Sequence, residues 1–368
     1  MKMIPVMEPS FEGNEERYLM DALQSGWISS KGKYIELFEK GFAGFLGAKY
    51  AVAVSSGTTA LHLALVALGI GEGDEVVVPN LTFAASANAV IHAGATPVFV
   101  DSMESHWNID PKEVRKVISH RTKAIMPVHL LGYPCLMGDI LEIAGEYSCF
   151  VVEDCAEAHG ASINGKRVGS IGEIGCFSFY GNKIITMGEG GICVTDDQRL
   201  YEKMRILRDH GMNPLKTYWH DMIGYNYRLT NLSAAIGVAQ LERLDEILEK
   251  RKSLRFVYYE ELQGISGLEF RYESPGEIAD WLFPVFIDEN ILDISRDELI
   301  VELKKRNIDT RPLFYPLHKM PPYRNFPRGG GMPNSELFAR SGILLPFYTM
   351  LEPEKIRYIG KKIRELCG

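Results

Sequence analysis

Short runs of β-branched and other apolar residues recur along the first half of the chain, each followed by a longer stretch with helical spacing. AVAVSS (51–56) leads into TTALHLALVALG, EVVVP (75–79) into FAASANAVIHAG, and PVFVD (97–101) into a loop and DPKEVRKVIS. AIMPVHLLG (124–132), MGDILEIAGEYS and CFVVED (149–154) continue the alternation. Strands that are apolar on both faces, separated by amphipathic helices, predict a parallel sheet covered on both sides, with right-handed crossovers. The fold class is α/β.

Beyond Asp154 the pattern changes. GASINGKRVGSIGEIG is rich in turn residues, and GCFSFYGNKIITMGEGGICVTDD reads as strand, loop, strand. Apolar positions three or four apart (Leu232, Ala235, Ile236, Leu241, Leu244, Ile247, Leu248) predict one long helix over about 231–251. That helix would carry the chain into a second unit. There EIADWLFPVFIDE suggests a strand, while RDELIVELKKRN and EPEKIRYIGKKIREL suggest helices. The expected division is a large domain over 1–245 and a smaller α+β domain over 246–368, with the N-terminal segment packing on the small one. RGGGMPNS (328–335) reads as a surface turn.

Length supports two or more units, since 368 residues exceed what one core usually holds. The charges sum to −8 and the basic residues are scattered, so a nucleic-acid partner is not expected. No run approaches the ~18 apolar residues of a membrane span. Pro5 and Glu8 interrupt the N-terminus before a signal-peptide core could form. Six cysteines without a CxxC pair, several inside apolar runs, fit free thiols in a reducing cytoplasm. Nine histidines without ligand spacing give no reason to expect a metal.

Candidate chemistry sits where the strands end, because ligands of α/β sheets bind beyond the carboxyl ends. Ser55-Ser56-Gly57-Thr58-Thr59 opens a helix after AVAV. Its first-turn N–H groups could hold a phosphate, or its hydroxyls could be plain N-caps. Asp154 closes CFVV, where an acid could hold a protonated ring nitrogen or simply face water. Phe83 could lie on a flat ligand or belong to the core. Lys183 stands between an apolar strand and a Gly-rich turn. Burial there would favour a neutral, nucleophilic amine, whereas a snorkelling lysine would keep its charge in water. Neither GEGG nor GIGEGD is a GxGxxG after a strand, so a Rossmann nucleotide site is not indicated. Taken together, a phosphate cradle, an aromatic plate, a carboxylate and an amine are the parts a pyridoxal phosphate site needs.

At this point the chain resembles the DegT/DnrJ/EryC1/StrS sugar aminotransferases, which have the fold-type-I architecture. The resemblance rests on GWISSKGKYIELFE (26–39), SSGTTALHLAL (55–65), GDEVVVPNLTF (73–83), TKAIMPVHLLGYP (122–134) and VVEDCAEAHGA (151–161). It continues through GCFSFYGNKIITMGEGG (175–191), GYNYRLTNLSAAIGVAQL (224–241) and TRPLFYPLH (310–318).

The resemblance implies that Lys183 carries the cofactor covalently and acts as acid and base. It puts Asp154 on the pyridine nitrogen, Phe83 and Ala156 on the two ring faces, and Glu157 near the phenolic oxygen. Ser56, Gly57, Thr58 and Ser178 would hold the phosphate. Asn226 would reach the site of a second copy in a homodimer. Trp27, Ser29, Ser30, Lys31, Arg228 and His318 would lie toward the nucleotide sugar. The implied reaction moves an amino group from L-glutamate to a nucleotide-linked 4-keto-6-deoxy sugar. GDP-4-keto-6-deoxymannose comes first as acceptor, with UDP- or dTDP-linked sugars as alternatives, and O-antigen or lipopolysaccharide synthesis is the implied setting. The family often has Asn at 56, Gln at 157 and Thr at 187. A sister branch that removes a hydroxyl has His where Lys183 stands, so lysine here points to transamination. A regulatory protein on the same scaffold would lack the lysine or add a basic appendage, and the chain does neither.

Overall fold

A seven-stranded sheet occupies the first 195 residues of the computed structural model, which describes residues 2–270 and 274–367. Its strands are β1 (Tyr50–Val54), β2 (Glu75–Pro79), β3 (Thr96–Val100), β4 (Thr122–Ile125), β5 (Phe150–Asp154), β8 (Ile174–Ser178) and β9 (Gly191–Thr195). A two-stranded hairpin, β6 (Ser162–Ile163) and β7 (Lys166–Arg167), lies between the last groups. The strand order is β1-β9-β8-β5-β4-β2-β3. All neighbours are parallel except β9, which runs against both β1 and β8. The Gly-rich turn between β8 and β9 is a hairpin-like return rather than a helical crossover, and that reverses β9.

β2 is buried at every position, and β1 and β3 at all but their first residue, because helices cover both faces. A second sheet holds β10 (Leu268–Glu269), β11 (Phe283–Ile287), β12 (Arg311–Pro312) and β13 (Gly342–Leu345), all antiparallel, in the order β10-β11-β13-β12. The N-terminal segment joins it, with Ile4 bridged to Ile308 and Phe347 N–H donating to the Val6 carbonyl at 2.9 Å.

Three sequence expectations need correction. The single helix over 231–251 is two, Asn231–Glu242 and Leu244–Leu262, broken at Arg243. The first buries small residues, Ala234, Ala235 and Ala239, while the second buries Leu254, Tyr258 and Leu262. One straight helix cannot aim both faces at their separate cores, and Arg243, outside helical geometry, makes the turn. The expected strand over 124–132 ends at Ile125. From Pro127 the chain turns toward the site, and Leu131 stands at φ 58.

The RGGGMPNS segment is only partly a turn. Gly329 N–H donates to Phe99 O at 2.9 Å, a helix begins at Pro333, and Ser335 is fully buried against Asp101. Residues 316–335 thus return to the first sheet and cover its edge strand β3, whose unpaired backbone would otherwise be open to association.

Candidate active site

Three chain segments leave the first sheet close together, at the carboxyl ends of β1, β5 and β8. After β1, Ser56 caps helix Gly57–Leu68: its Oγ accepts from Thr59 N–H at 3.2 Å, and Thr59 Oγ1 accepts from Ser56 N–H at 3.0 Å. Capping is therefore real here, and it does not use up the helix end. The Gly57 and Thr58 N–H groups have no partner among the described residues, so the first turn presents two donors and the positive end of its dipole. Glycine is required at 57. A Cβ there would stand 2.6 Å from Ser178 Cβ.

Asp154, at the end of β5, is 4 % exposed. Ser86 Oγ donates to its Oδ2 at 2.8 Å and Ala156 N–H to its Oδ1 at 3.1 Å. Burial nonetheless pushes this carboxyl above its usual range, opposed by the Ser86 and Ala156 hydrogen bonds and the Lys183 charge. No cation is within ion-pairing distance of it among the described residues. A positive group brought beside it would favour its charged form.

Lys183 sits in the β8–β9 turn with its side chain 11 % exposed. Its Nζ is 3.6 Å from Glu157 Oε1 and 4.2 Å from the centre of the Trp281 ring. Burial lowers the amine below its ordinary range, against the pull of Glu157 and Asp154. Burial likewise raises Glu157 to about 7, against the pull of Lys183 and a hydrogen bond from Leu131 N–H. That bond, 2.9 Å to Oε2, is made possible by the left-handed backbone of Leu131, a costly conformation for leucine. Burial pushes both members of the pair toward neutrality, and each draws the other back toward its charged form.

Behind this pair His129 Nδ1 accepts from Cys135 N–H, leaving Nε2 to donate to Glu153 Oε2 at 3.1 Å. Glu153 also accepts from the N–H groups of Gly169, Ile171 and Gly172. These donors hold its buried carboxyl below the usual range despite desolvation. His129, Glu153 and Cys155 are close enough to hold an ion, but the histidine and the carboxylate are already committed.

Lys183, Asp154, Glu157, Ser56, Gly57, Thr58, Phe83, Ala156 and Ser178 all line one cavity of about 510 Å³. Phe83 is 58 % exposed, its ring open to the cavity rather than packed in the core. The second sheet closes the space with Trp281, Arg311 and Phe314.

A model of the DegT/DnrJ/EryC1/StrS aminotransferase family matches residues 9–364. The chain belongs to that family. It is 43 % identical to a GDP-perosamine synthase of Vibrio cholerae over 98 % of both chains. It is 45 % identical to the GDP-perosamine synthase of Escherichia coli O157:H7 over 99 % of both. Among solved structures it is similar to DesV of S. venezuelae, captured with a ketimine intermediate, at 38 % identity and a TM-score of 0.90, covering 96 % of this chain and 94 % of that one. This is an aminotransferase, and membership of the DegT/DnrJ/EryC1/StrS family implies pyridoxal phosphate as its cofactor.

Seven expected residues lie outside the cavity. Asn226 is exposed, with its backbone bridged to Asp209. Arg228 pairs with Asp209. Trp27 and Ser29 belong to a segment pinned by Asn231, which donates from Nδ2 to Trp27 O and from N–H to Ser29 O. Ser30 and Lys31 line a different groove of about 620 Å³, which contains no buried lysine or acid comparable to Lys183 and Asp154. His318 is buried with both ring nitrogens engaged, Nδ1 to Asn80 and Nε2 to Glu336. It lies on the returning segment and joins Asn80, just past β2, to Glu336. Conversely, Ser86, Trp281, Arg311 and the Leu131 N–H belong to the site of this DegT/DnrJ/EryC1/StrS member without having been foreseen. Trp281 stood in view within EIADWLFPVF, where it was read only as part of a strand.

Proposed function

We propose that the protein transfers an amino group from L-glutamate to GDP-4-keto-6-deoxymannose, giving GDP-perosamine, with pyridoxal phosphate held in the 510 Å³ cavity. The observation that carries this is a buried lysine, an acid lacking a cation and a helix start with two free N–H donors, all on one cavity. The donor set fits the cofactor. Gly57, Thr58, Ser56 and Ser178 would take its phosphate, Asp154 its ring nitrogen, Phe83 one ring face, and Lys183 its aldehyde. GDP as the nucleotide is supported by the names of the two bacterial relatives, which span the chain end to end.

When bound, the cofactor supplies an electron sink for the bond breaking at the donor's Cα. The chain's own groups do the rest. Lys183 Nζ would hold the cofactor through its aldehyde and, when free, would serve as the base that takes the proton from the donor's Cα. Burial lowers its basicity, which favours the neutral amine that task needs. Glu157, 3.6 Å away, is placed to exchange a proton with it. Asp154 keeps the ring nitrogen charged, and the Ser86 and Ala156 hydrogen bonds hold its two oxygens in place.

Asn226, exposed and outside its own cavity, reaches the phosphate of a second copy in this reading, which makes the active form a homodimer. All six cysteines are unpaired and five are buried, which fits work in the cytoplasm. No helix among the described residues is long and apolar enough to cross a membrane.

Lys183→Ala is expected to abolish the absorbance of the linked cofactor and all turnover. Wild-type protein is then offered the GDP-, UDP- and dTDP-linked 4-keto sugars with glutamate. Amination confined to the UDP or dTDP sugar would refute the GDP assignment, and turnover by the Lys183→Ala protein would refute the mechanism.

A further inference from the structure

The second sheet does more than roof the cavity. Just before β11 the chain lays Ala279, Asp280 and Trp281 across both members of the Lys183–Glu157 pair. On the glutamate side Ala279 N–H donates to Gly132 O at 3.0 Å. The approach there is so close that a Cβ on Gly132 would stand 1.7 Å from Ala279 O. Gly132 follows Leu131, whose N–H holds Glu157. On the lysine side the Trp281 indole N–H donates to Asn182 O at 2.6 Å, and its ring face lies 4.2 Å from Lys183 Nζ. Trp281 itself is 3 % exposed. The segment is itself anchored, with Asp280 paired to Arg255 at 3.0 Å and its carbonyl taken by Arg251.

We infer that Trp281 is a positioning residue for Lys183, its indole N–H fixing the backbone before the lysine and its ring face holding the amine opposite Glu157. An aromatic face within about 6 Å attracts a cation, and more strongly when both are dry. The ring therefore favours the protonated amine and limits where the long side chain can go. Other charges facing the amine are Glu157 at 3.6 Å and, farther off, Asp154, while His159 is held neutral by burial, its pKa pushed down to about 3. Arg311 and Glu189 line the same cavity. None of these touches the ring-bearing side of the amine as Trp281 does. The inference rests on Lys183 being the cofactor-linking residue.

The test uses cofactor-free, full-length enzyme mixed with pyridoxal 5′-phosphate over a range of pH. The lysine amine condenses with the aldehyde and releases water, the link is followed by absorbance, and borohydride reduction with mass spectrometry confirms Lys183 as the site. Removing the ring makes protonation of the amine less favourable, so W281L is expected to move the midpoint of capture down by about one pH unit. At high pH, where both proteins present neutral amine, its capture is expected to slow by about tenfold because the side chain is no longer confined. W281F keeps a ring face and is expected to move the midpoint by less than half as much. If W281L does not fold, W281M carries the same expectation. A wild-type midpoint in the folded non-aromatic variant overturns the inference, and so does a W281F shift as large as that of W281L. Failure of the wild-type enzyme to capture the cofactor at all would instead remove the proposed function on which this rests.

Discussion

At Asp154 two hydrogen bonds fix the carboxylate, and burial leaves it without a cation of its own. The proposed function gives it an electronic use, holding the charge of the cofactor's ring nitrogen. Asp154→Asn is expected to keep the fold and bind pyridoxal phosphate while slowing turnover on the order of 100-fold, because an amide cannot hold the ring nitrogen in its charged form. Single-turnover kinetics with glutamate check this, and near-normal rates would contradict the role. At this scale the sequence was informative about which residue types meet, since Lys183, Asp154 and Phe83 stand at strand ends in a simple pattern. It could not reveal Ser86, sixty-eight positions from its partner, because a serine in a helix carries no mark of what its hydroxyl touches. Nor could it reveal that Leu131 adopts φ 58 to reach Glu157, since leucine has no preference for that conformation.

Helix Gly57–Leu68 shows how an element becomes a binding device. Its cap satisfies the Thr59 N–H and leaves those of Gly57 and Thr58 free, which the proposed function assigns to a phosphate. Gly57→Ala forces a Cβ to within 2.6 Å of Ser178 Cβ, an overpacking that costs about 1–3 kcal/mol. The expected outcome is cofactor affinity weakened about tenfold or more, measured by fluorescence titration, with the covalent link to Lys183 still formed at saturation. Unchanged affinity would place the phosphate elsewhere. Elements with one uniform apolar face, such as β2 and this helix, were legible because burial alone decides them. The bend at Arg243 was not. Apolar spacing runs through it unbroken, and only the existence of two cores at different angles explains why the helix turns.

For the whole molecule, the question is whether one chain makes a complete site. Asn226 lies outside its own cavity, and under the proposed homodimer each site would need Lys183 from one copy and Asn226 from another. Mixing inactive Lys183→Ala protein with a disabled Asn226→Ala protein under exchanging conditions should restore about one-quarter of wild-type activity, because half the dimers then contain one intact site of two. No recovery, with exchange verified by mass, would make the site a property of the single chain. The alternation of strands and helices gave away the α/β architecture, and the change of pattern near 250 announced a second sheet. The path of residues 316–335 stayed hidden, since a Gly-rich run looks alike on a free surface and along a protected edge.

That return path ties the protein's two halves into a closed loop of chain. Leu317 N–H donates to Asn80 O, Pro327 and Gly329 bond to Phe99, and Asn334 and Ser335 bond to Asp101, all on the first sheet. A fragment stopped at residue 245 would therefore lack the cover of its own outermost strand as well as the indole beside its lysine. Neither half is therefore a self-contained module: each is finished by chain that belongs to the other.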